Sequence, residues 1–360
     1  MLELWSSDGA FTRIEAYLRE HGFFAVGGEE LVADVYLGYG LSEPLRRSAA
    51  PPPPEPCRLP LAAVSVRDTS QRDMSRGLSL GHVRIGRSQI GRWRRSWTDD
   101  EYGAAVEAVR AAIERGDVYQ VNLVQHLAAD FEGDPRALVA ALAPFRPLAP
   151  CLAGEGRADE GWAIVSASPE LFLARRGRRV WTMPIKGTRP LGEHVEGAKD
   201  EAEHVMIVDL ERNDLSRVCE PGSVRWPELM AERELAGVTH LVSRVEGTLR
   251  EDVSLAELLA ATFPGGSVTG APKLAALDEI ARLEPVGRGA SMGALGTVRG
   301  NGDLELALTI RTFAVVDGEI HLWVGGGIVW DSDPQEEIEE SWTKARPLLS
   351  AIGAPLEVNA

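Results

Sequence analysis

The sequence predicts an α+β protein with largely antiparallel sheets, and three features carry that prediction. Strand-like runs follow one another in hairpin fashion, most clearly Ala307–Val316 and His321–Trp330 around the turn Asp317-Gly318. Helical periods fall in blocks between such runs, without the strict alternation of strand and helix that marks a parallel sheet. At 360 residues the chain can bury a large core, in two domains or one intertwined one.

Taken in order, residues 1–47 hold short apolar runs, FFAV and DVYLGYGL, that read as strands broken by glycine, with a helix around Thr12–Glu20. They are expected to form a short N-terminal segment contributing to the sheets. Residues 48–58 carry four consecutive prolines, cannot enter a sheet interior, and are expected to form an exposed polyproline linker before a main domain at 59–360. Leu59–Val66 and Leu80–Ile85 read as strands. Thr98 with Glu101 forms a capping box, and Tyr102, Val106, Val109 and Ile113 follow at helical spacing until Gly116. Val118–Leu127 alternates like a half-buried strand, and Pro135–Leu142 is helical. Strand pieces flank Pro169. Lys199–Leu215 is helical, Leu241–Leu249 a strand, Leu255–Ala261 a helix, and the loop FPGGSVTGAPK opens a further helix at Pro272. Asp333–Leu349 is the last helix.

Composition excludes several function classes. A formal charge of -16 opposes generic binding to phosphate backbones or anionic membranes, so no nucleic acid or membrane partner is expected and any anionic substrate must meet locally placed cations. Cys57, Cys151 and Cys219 lack paired spacing, so neither a zinc site nor a disulfide framework is suggested. With no basic, apolar leader and no run of membrane-helix length, a soluble, unprocessed, cytoplasmic protein is expected.

One peptide organises the rest: Trp181–Gly192, WTMPIKGTRPLG. Pro184 restricts Met183 to extended geometry and Gly187 lets the backbone approach a ligand, so Lys186 is delivered at a strand end. A lysine there can do chemistry or be a surface charge. Asp200 with Glu203, and Glu337 with Glu340, sit three apart on predicted helices, placing both carboxylates of each pair on one face. Oxygen clusters of this kind suit Mg²⁺, and they are also common on solvated helix faces. The loop Phe263–Lys273 fails as a phosphate-binding loop, because Ala271 and Pro272 stand where Lys and Ser/Thr are required. It can still present N–H groups to a carboxylate. Gly325, Gly326 and Gly327 inside a strand pattern are either a bulge or a place where something approaches the backbone. Arg311 offers a fork for a carboxylate or faces water from an edge strand, and His240 reads first as a structural histidine. No Ser-His-Asp order, HExxH motif or dinucleotide fingerprint is visible.

Together, PIKGTRPLG, DEAEHVMIVDLERNDLSRVCEPGSV, GVTHLVSRVEGTL, FPGGSVTGAPK, LALTIRTF and GGGIVWDSDPQEEIEESWTKA occur in the order found in the chorismate-utilising enzymes. Over about Trp97–Leu349 the chain resembles component I of the aminodeoxychorismate synthases, whose relatives are anthranilate synthase component I, isochorismate synthase and salicylate synthase. The resemblance implies two largely antiparallel sheets packed face to face with helices outside and the active site between them. It implies Mg²⁺ held by Glu203 and Glu340 with Asp200 and Glu337 assisting, and Arg311 with the Gly325–Gly327 backbone on the enolpyruvyl carboxylate. Lys344 would support the metal-bound ring carboxylate, Gly187 and Thr188 would line the ring, and His240 would sit beside it.

Lys186 separates the subfamilies, because anthranilate synthases carry alanine in the corresponding motif. The mechanism implied is nucleophilic: neutral Lys186 adds at ring C2 as the C4 hydroxyl leaves, protonated by Glu170, and ammonia then adds at C4 and expels the lysine. That asks for a lysine pKa depressed by roughly three units and a glutamate pKa raised. Ser291 stands where relatives have a tyrosine on the enolpyruvyl carboxylate, which weakens that contact. Gln120 replaces the water-activating lysine of isochorismate and salicylate synthases and argues against those activities. No tryptophan-binding motif and no fused glutaminase is recognisable, so ammonia is expected from a separate glutamine amidotransferase subunit. The alternatives are an anthranilate synthase-like amination at C2 and a non-catalytic chorismate-binding protein.

Overall fold

The computed structural model describes residues 1–70, 88–154, 161–190, 198–235 and 238–354. Its strands form a ten-stranded and an eight-stranded sheet, and every strand pair is antiparallel. One continuous hydrophobic core takes side chains from both, and Tyr36 of the larger sheet meets Trp162 of the smaller with ring centroids 6.2 Å apart. The expected α+β architecture of two sheets with flanking helices is what the chain adopts.

Residues near the N-terminus are built into the larger sheet. Leu31–Leu37 lies between Ala62–Asp68 and Ala294–Arg299, and Leu2–Leu4 pairs on the outer side of Ala62–Asp68. FFAV is not a strand: the chain turns there, with Phe24 at φ 62° donating its N–H to the Gly300 carbonyl, so the apolar rings pack through a turn. The proline-rich stretch is tethered at several points. Ser48 N–H donates to Asp278, the Pro54 carbonyl accepts from Gly287 N–H, and Glu55 accepts from Gly289 N–H. The strand expected at Leu80–Ile85 lies outside the described residues.

Local signals set the helices. Thr98 and Glu101 form both halves of the capping box that starts Asp99–Glu114, and Ser254 with Glu257 does the same for Leu255–Thr262. Asp333 caps Pro334–Ala351 through the N–H groups of Gln335 and Glu336. Tyr102 and Ser341 then fasten two of these helices to the smaller sheet, through the Leu123 carbonyl and the Gln125 side chain.

One reading of the hairpin needs correction. Ala307–Val316 is two strands in different sheets: Leu304–Leu308 belongs to the larger and Thr312–Val316 to the smaller. The chain crosses at Thr309–Arg311, with Arg311 at φ 50° and the buried Thr309 side chain accepting from Gly293 N–H. Both strands bury their faces, so the apolar pattern runs through the crossing unbroken. No helix among the described residues is long and apolar enough to cross a membrane.

Candidate active site

Lys186 projects from Ile185–Pro190, which pairs with Val238–Thr248. The register slips between Lys186 and Thr188, and Gly187, the extra residue, takes φ 62°. Only glycine adopts that conformation without strain, which explains the Lys-Gly-Thr order and aims Lys186 away from the regular ladder. Its ammonium lies 2.7 Å from Oε1 of Glu203, on the helix Ala198–Ser216. Gln120 Nε2 donates to the same oxygen at 2.7 Å, and the buried Gln120 amide oxygen has no hydrogen-bond partner among the described residues.

The charge state of Lys186 differs from the expectation. Burial disfavours its ammonium, but Glu203, by charge and hydrogen bond, outweighs this with help from Glu170 and Glu340, so the pKa is raised. As the site stands, Lys186 is a cation. It becomes a nucleophile only once Glu203 is drawn elsewhere.

Glu170 lies beside the strand that carries Lys186. It is 4% exposed and accepts from Ile185 N–H at 3.3 Å. Burial raises its pKa, against the pull of Lys186, the Ser267 side chain, Ile185 N–H and Arg311. A carboxyl whose pKa is raised holds its proton to higher pH than a free one, which is the direction a general acid needs. Ser267, in the loop after Phe263, is a partner the sequence did not reveal.

His240 sits opposite Thr188 in the ladder, and its Nδ1 lies 3.1 Å from the Gly187 carbonyl, a contact that requires the proton on Nδ1. Burial lowers its pKa, against the pull of the Gly187 carbonyl, so it is neutral near pH 7. Arg311 is half-buried in its left-handed conformation at the sheet crossing, and burial lowers its pKa against the opposing pull of Glu170. Among the described residues its guanidinium has no ion-pair partner, so the fork is open to an anionic ligand. Ser291 is fully buried and its hydroxyl donates to the Thr309 carbonyl at 3.4 Å, beside the same crossing.

The three glycines of Glu319–Ile328 have separate reasons to lack a side chain. A Cβ at Gly325 would lie 1.8 Å from the Leu123 carbonyl oxygen. At Gly327 it would fall 1.9 Å from Gln120 Nε2 and 2.7 Å from Glu203 Oε1. At Gly326 it would stand 3.3 Å from Glu337, 3.4 Å from Lys344 Nζ and 3.5 Å from Glu340. Lys344 pairs with Glu340 at 2.7 Å and donates to the Gly325 carbonyl at 2.9 Å, as their spacing of one helical turn implies. Glu337 is buried and accepts from the Ser332 hydroxyl at 2.6 Å. Asp200 is on the helix with Glu203, and Thr188 on the strand with Lys186, but both side chains lie outside the described residues.

Whether these groups suit a divalent cation can be tested on the donors. Carboxylates from two helices reach adjacent glycines of one strand, all donors are oxygen, and the charges now facing Glu203 and Glu340 are the ammonium groups of Lys186 and Lys344. That chemistry fits a hard cation. Among the described residues no three potential ligands are yet gathered tightly enough to hold one.

A family model described as chorismate binding enzyme matches residues 64–350. The chain is 41% identical over 276 residues to aminodeoxychorismate synthase component 1 of Klebsiella aerogenes, covering 72% of this chain and 59% of that one. It is 43% identical over 264 residues to anthranilate synthase component 1 of Thermus thermophilus, covering 69% of this chain and 56% of that one. The match thus spans less than two thirds of these relatives' own length. The crystal structure of anthranilate synthase component I from Streptococcus pneumoniae matches with a TM-score of 0.74 at 26% identity, over 88% of this chain and 80% of that one. With that fold, these motifs and a family match over most of its length, the chain belongs to the chorismate binding enzyme family.

Proposed function

We propose that this chain aminates chorismate at C4, giving 4-amino-4-deoxychorismate with Lys186 as a transient covalent nucleophile. The observation that carries the proposal is the pairing of a buried lysine with a buried glutamic acid of raised pKa: Lys186 and Glu170 influence one another across the site, and Ile185 N–H binds Glu170 one residue before the lysine. The relatives named aminodeoxychorismate synthase support the same reading.

Arg311 binds the enolpyruvyl carboxylate, with the Gly325–Gly327 backbone alongside. Lys344 supports the ring carboxylate. Glu203, Glu340 and Glu337, with Asp200, would hold Mg²⁺, which when bound supplies positive charge to the substrate carboxylate. Lys186, its proton given up to solvent once Glu203 turns away, adds through Nζ to ring C2, the two conjugated ring double bonds each shift one position, and the C4–O bond breaks. The Glu170 proton goes to that oxygen, which leaves as water. Ammonia then bonds to C4, both double bonds shift back, and Lys186 leaves as the neutral amine. His240, fixed by the Gly187 carbonyl, keeps the bulge and ring in register. Ammonia is delivered by a separate glutamine amidotransferase subunit, in the route to 4-aminobenzoate and folate.

Incubation with chorismate, Mg²⁺ and an ammonium salt tests this. The product expected is 4-amino-4-deoxychorismate, converted to 4-aminobenzoate on adding a lyase. Fluorescent anthranilate with pyruvate would instead establish the second reading, amination at C2, which the identity to the Thermus anthranilate synthase favours.

A further inference from the structure

Glu211 and Asp214, with Lys273, form a second group of buried titratable side chains that the amination chemistry does not use. Glu211 is on the inward face of Ala198–Ser216, 7% exposed, and accepts from the Thr182 hydroxyl at 3.0 Å. Asp214, three residues on, pairs with Lys273 at 2.5 Å, and that ammonium also donates to the Thr262 and Pro264 carbonyls. Between them is a cavity of about 10 Å³ lined by Thr182, Glu211, Asp214, Thr262, Gly265 and Gly266, which is room for about one water. Gly266 carries the chain directly to Ser267, a buried hydroxyl that helps hold down the Glu170 pKa.

We propose that Glu211 is the proton store that recharges Glu170, through one water in this cavity and the Ser267 hydroxyl. The idea rests on the C4-amination reading, in which Glu170 must regain a proton in every cycle. Glu170 gives a proton to the departing hydroxyl, and the new amine leaves as an ammonium that keeps its own protons. Each turnover therefore consumes one proton at Glu170. In the relay, the Glu211 carboxyl proton passes to the water, the water passes one to Ser267 Oγ, and Ser267 passes its own to the Glu170 carboxylate. Glu211 is left as a carboxylate facing Lys273 and is reprotonated from solvent.

The groups around Glu211 suit that duty. Burial, with Glu170 and Asp214 adding, pushes its pKa up to about 8, while Thr182 and Lys273 pull it down. Lys273 holds the nearer charge of Asp214, helped by Arg217. Near pH 7 Glu211 thus carries a proton it can give, and Lys273 stands ready to stabilise what remains. Glu211 acts through Glu170, so it is a positioning and supply residue and touches no substrate.

The test needs no turnover. Infrared spectra of the protein resolve protonated buried carboxyls, and Glu170→Gln assigns the Glu170 band. On transfer to D₂O near pH 6, Glu211→Gln is expected to slow deuteration of the Glu170 carboxyl by about tenfold or more, since it keeps the side-chain shape but has no carboxyl proton. Thr182→Val, which keeps the carboxyl and removes its hydrogen bond, slows it by a smaller factor. If Glu211→Gln fails to fold, Thr182→Val decides. Unchanged deuteration in the folded variants overturns the relay. That result is distinct from failure of the amination reading, which shows as a wild-type protein that makes no C4-amino product.

Discussion

Two buried ion pairs in this molecule are built in opposite ways. Arg288 and Glu284 are 1% and 2% exposed at their side chains, and almost every polar atom has a fixed protein partner. Arg288 donates twice to Glu284 and to the carbonyls of Val268 and Asn122, and Glu284 also accepts from Val124 N–H. Lys186 and Glu203 are 11% and 14% exposed, lie at a bulge, share one oxygen with Gln120, and leave the Gln120 amide oxygen without a partner among the described residues. A pair whose hydrogen bonds are all satisfied locks a core, whereas a pair with spare capacity is able to exchange partners. The first holds the strand and loop that carry Gln120 and Ser267. The second is where the chemistry is placed.

That contrast can be broken by substitution. Lys186→Ala should lower C4 amination by at least about a thousandfold while leaving the melting temperature nearly unchanged, read by product formation and calorimetry. Retention of full activity would remove the catalytic half of the comparison. Arg288→Met should do the reverse in kind, costing about 3–5 kcal/mol in urea unfolding because Glu284 is left buried and unpaired. A double replacement by apolar residues should recover much of that loss. If Arg288→Met unfolds at the wild-type midpoint, the lock is not one.

A finer test uses the glycines. Gly327→Ala places a methyl on the far end of Gln120 and beside Glu203, so it should disturb the site more than the fold. A fall in turnover of about tenfold to a hundredfold with less than about 1 kcal/mol of stability lost is expected. Gly326→Ala, whose nearest neighbours stand at 3.3 Å or more, should be milder in turnover. Equal effects would mean that the two glycines do not divide the site as described.

The smallest effect concerns pH. The pKa of Glu211 is raised on folding, so the folded state binds its proton more tightly than the unfolded chain does. Stability from this group is complete below about pH 4.5 and is lost as pH rises toward about 8. Glu211→Gln should reduce the loss of stability across that window by about 1–2 kcal/mol, short of the full 1.4 kcal/mol per unit because Glu170 and Lys273 share the change. Urea midpoints at the two ends of the window check this, and identical slopes would show that Glu211 ionises as an ordinary carboxyl.

Much of this was readable from the residues alone, for physical reasons. The Thr98 and Glu101 capping box, the Asp333 cap and the Asp317-Gly318 turn are local signals that depend on few neighbours, and each appears where the spacing puts it. Lys344 one turn beyond Glu340 follows from helix geometry and becomes an ion pair. The sheet crossing at Thr309–Arg311 was hidden because two buried strands in succession have the alternation of one. FFAV has the composition of a strand but forms a turn, because buried aromatic residues also occur in turns. The cationic state of Lys186 depends on Glu203, 17 residues away in sequence, and the Glu211 cavity draws on four separate segments, so neither has a local signature.

The most direct test of an exchangeable Lys186 is the intact mass of the protein mixed with chorismate and Mg²⁺ in the absence of ammonia. The account predicts an added mass equal to chorismate less water, mapped to the peptide containing Lys186 and discharged on adding an ammonium salt. C4-amino product forming at full rate, with no adduct at Lys186 under any of these conditions, would contradict it.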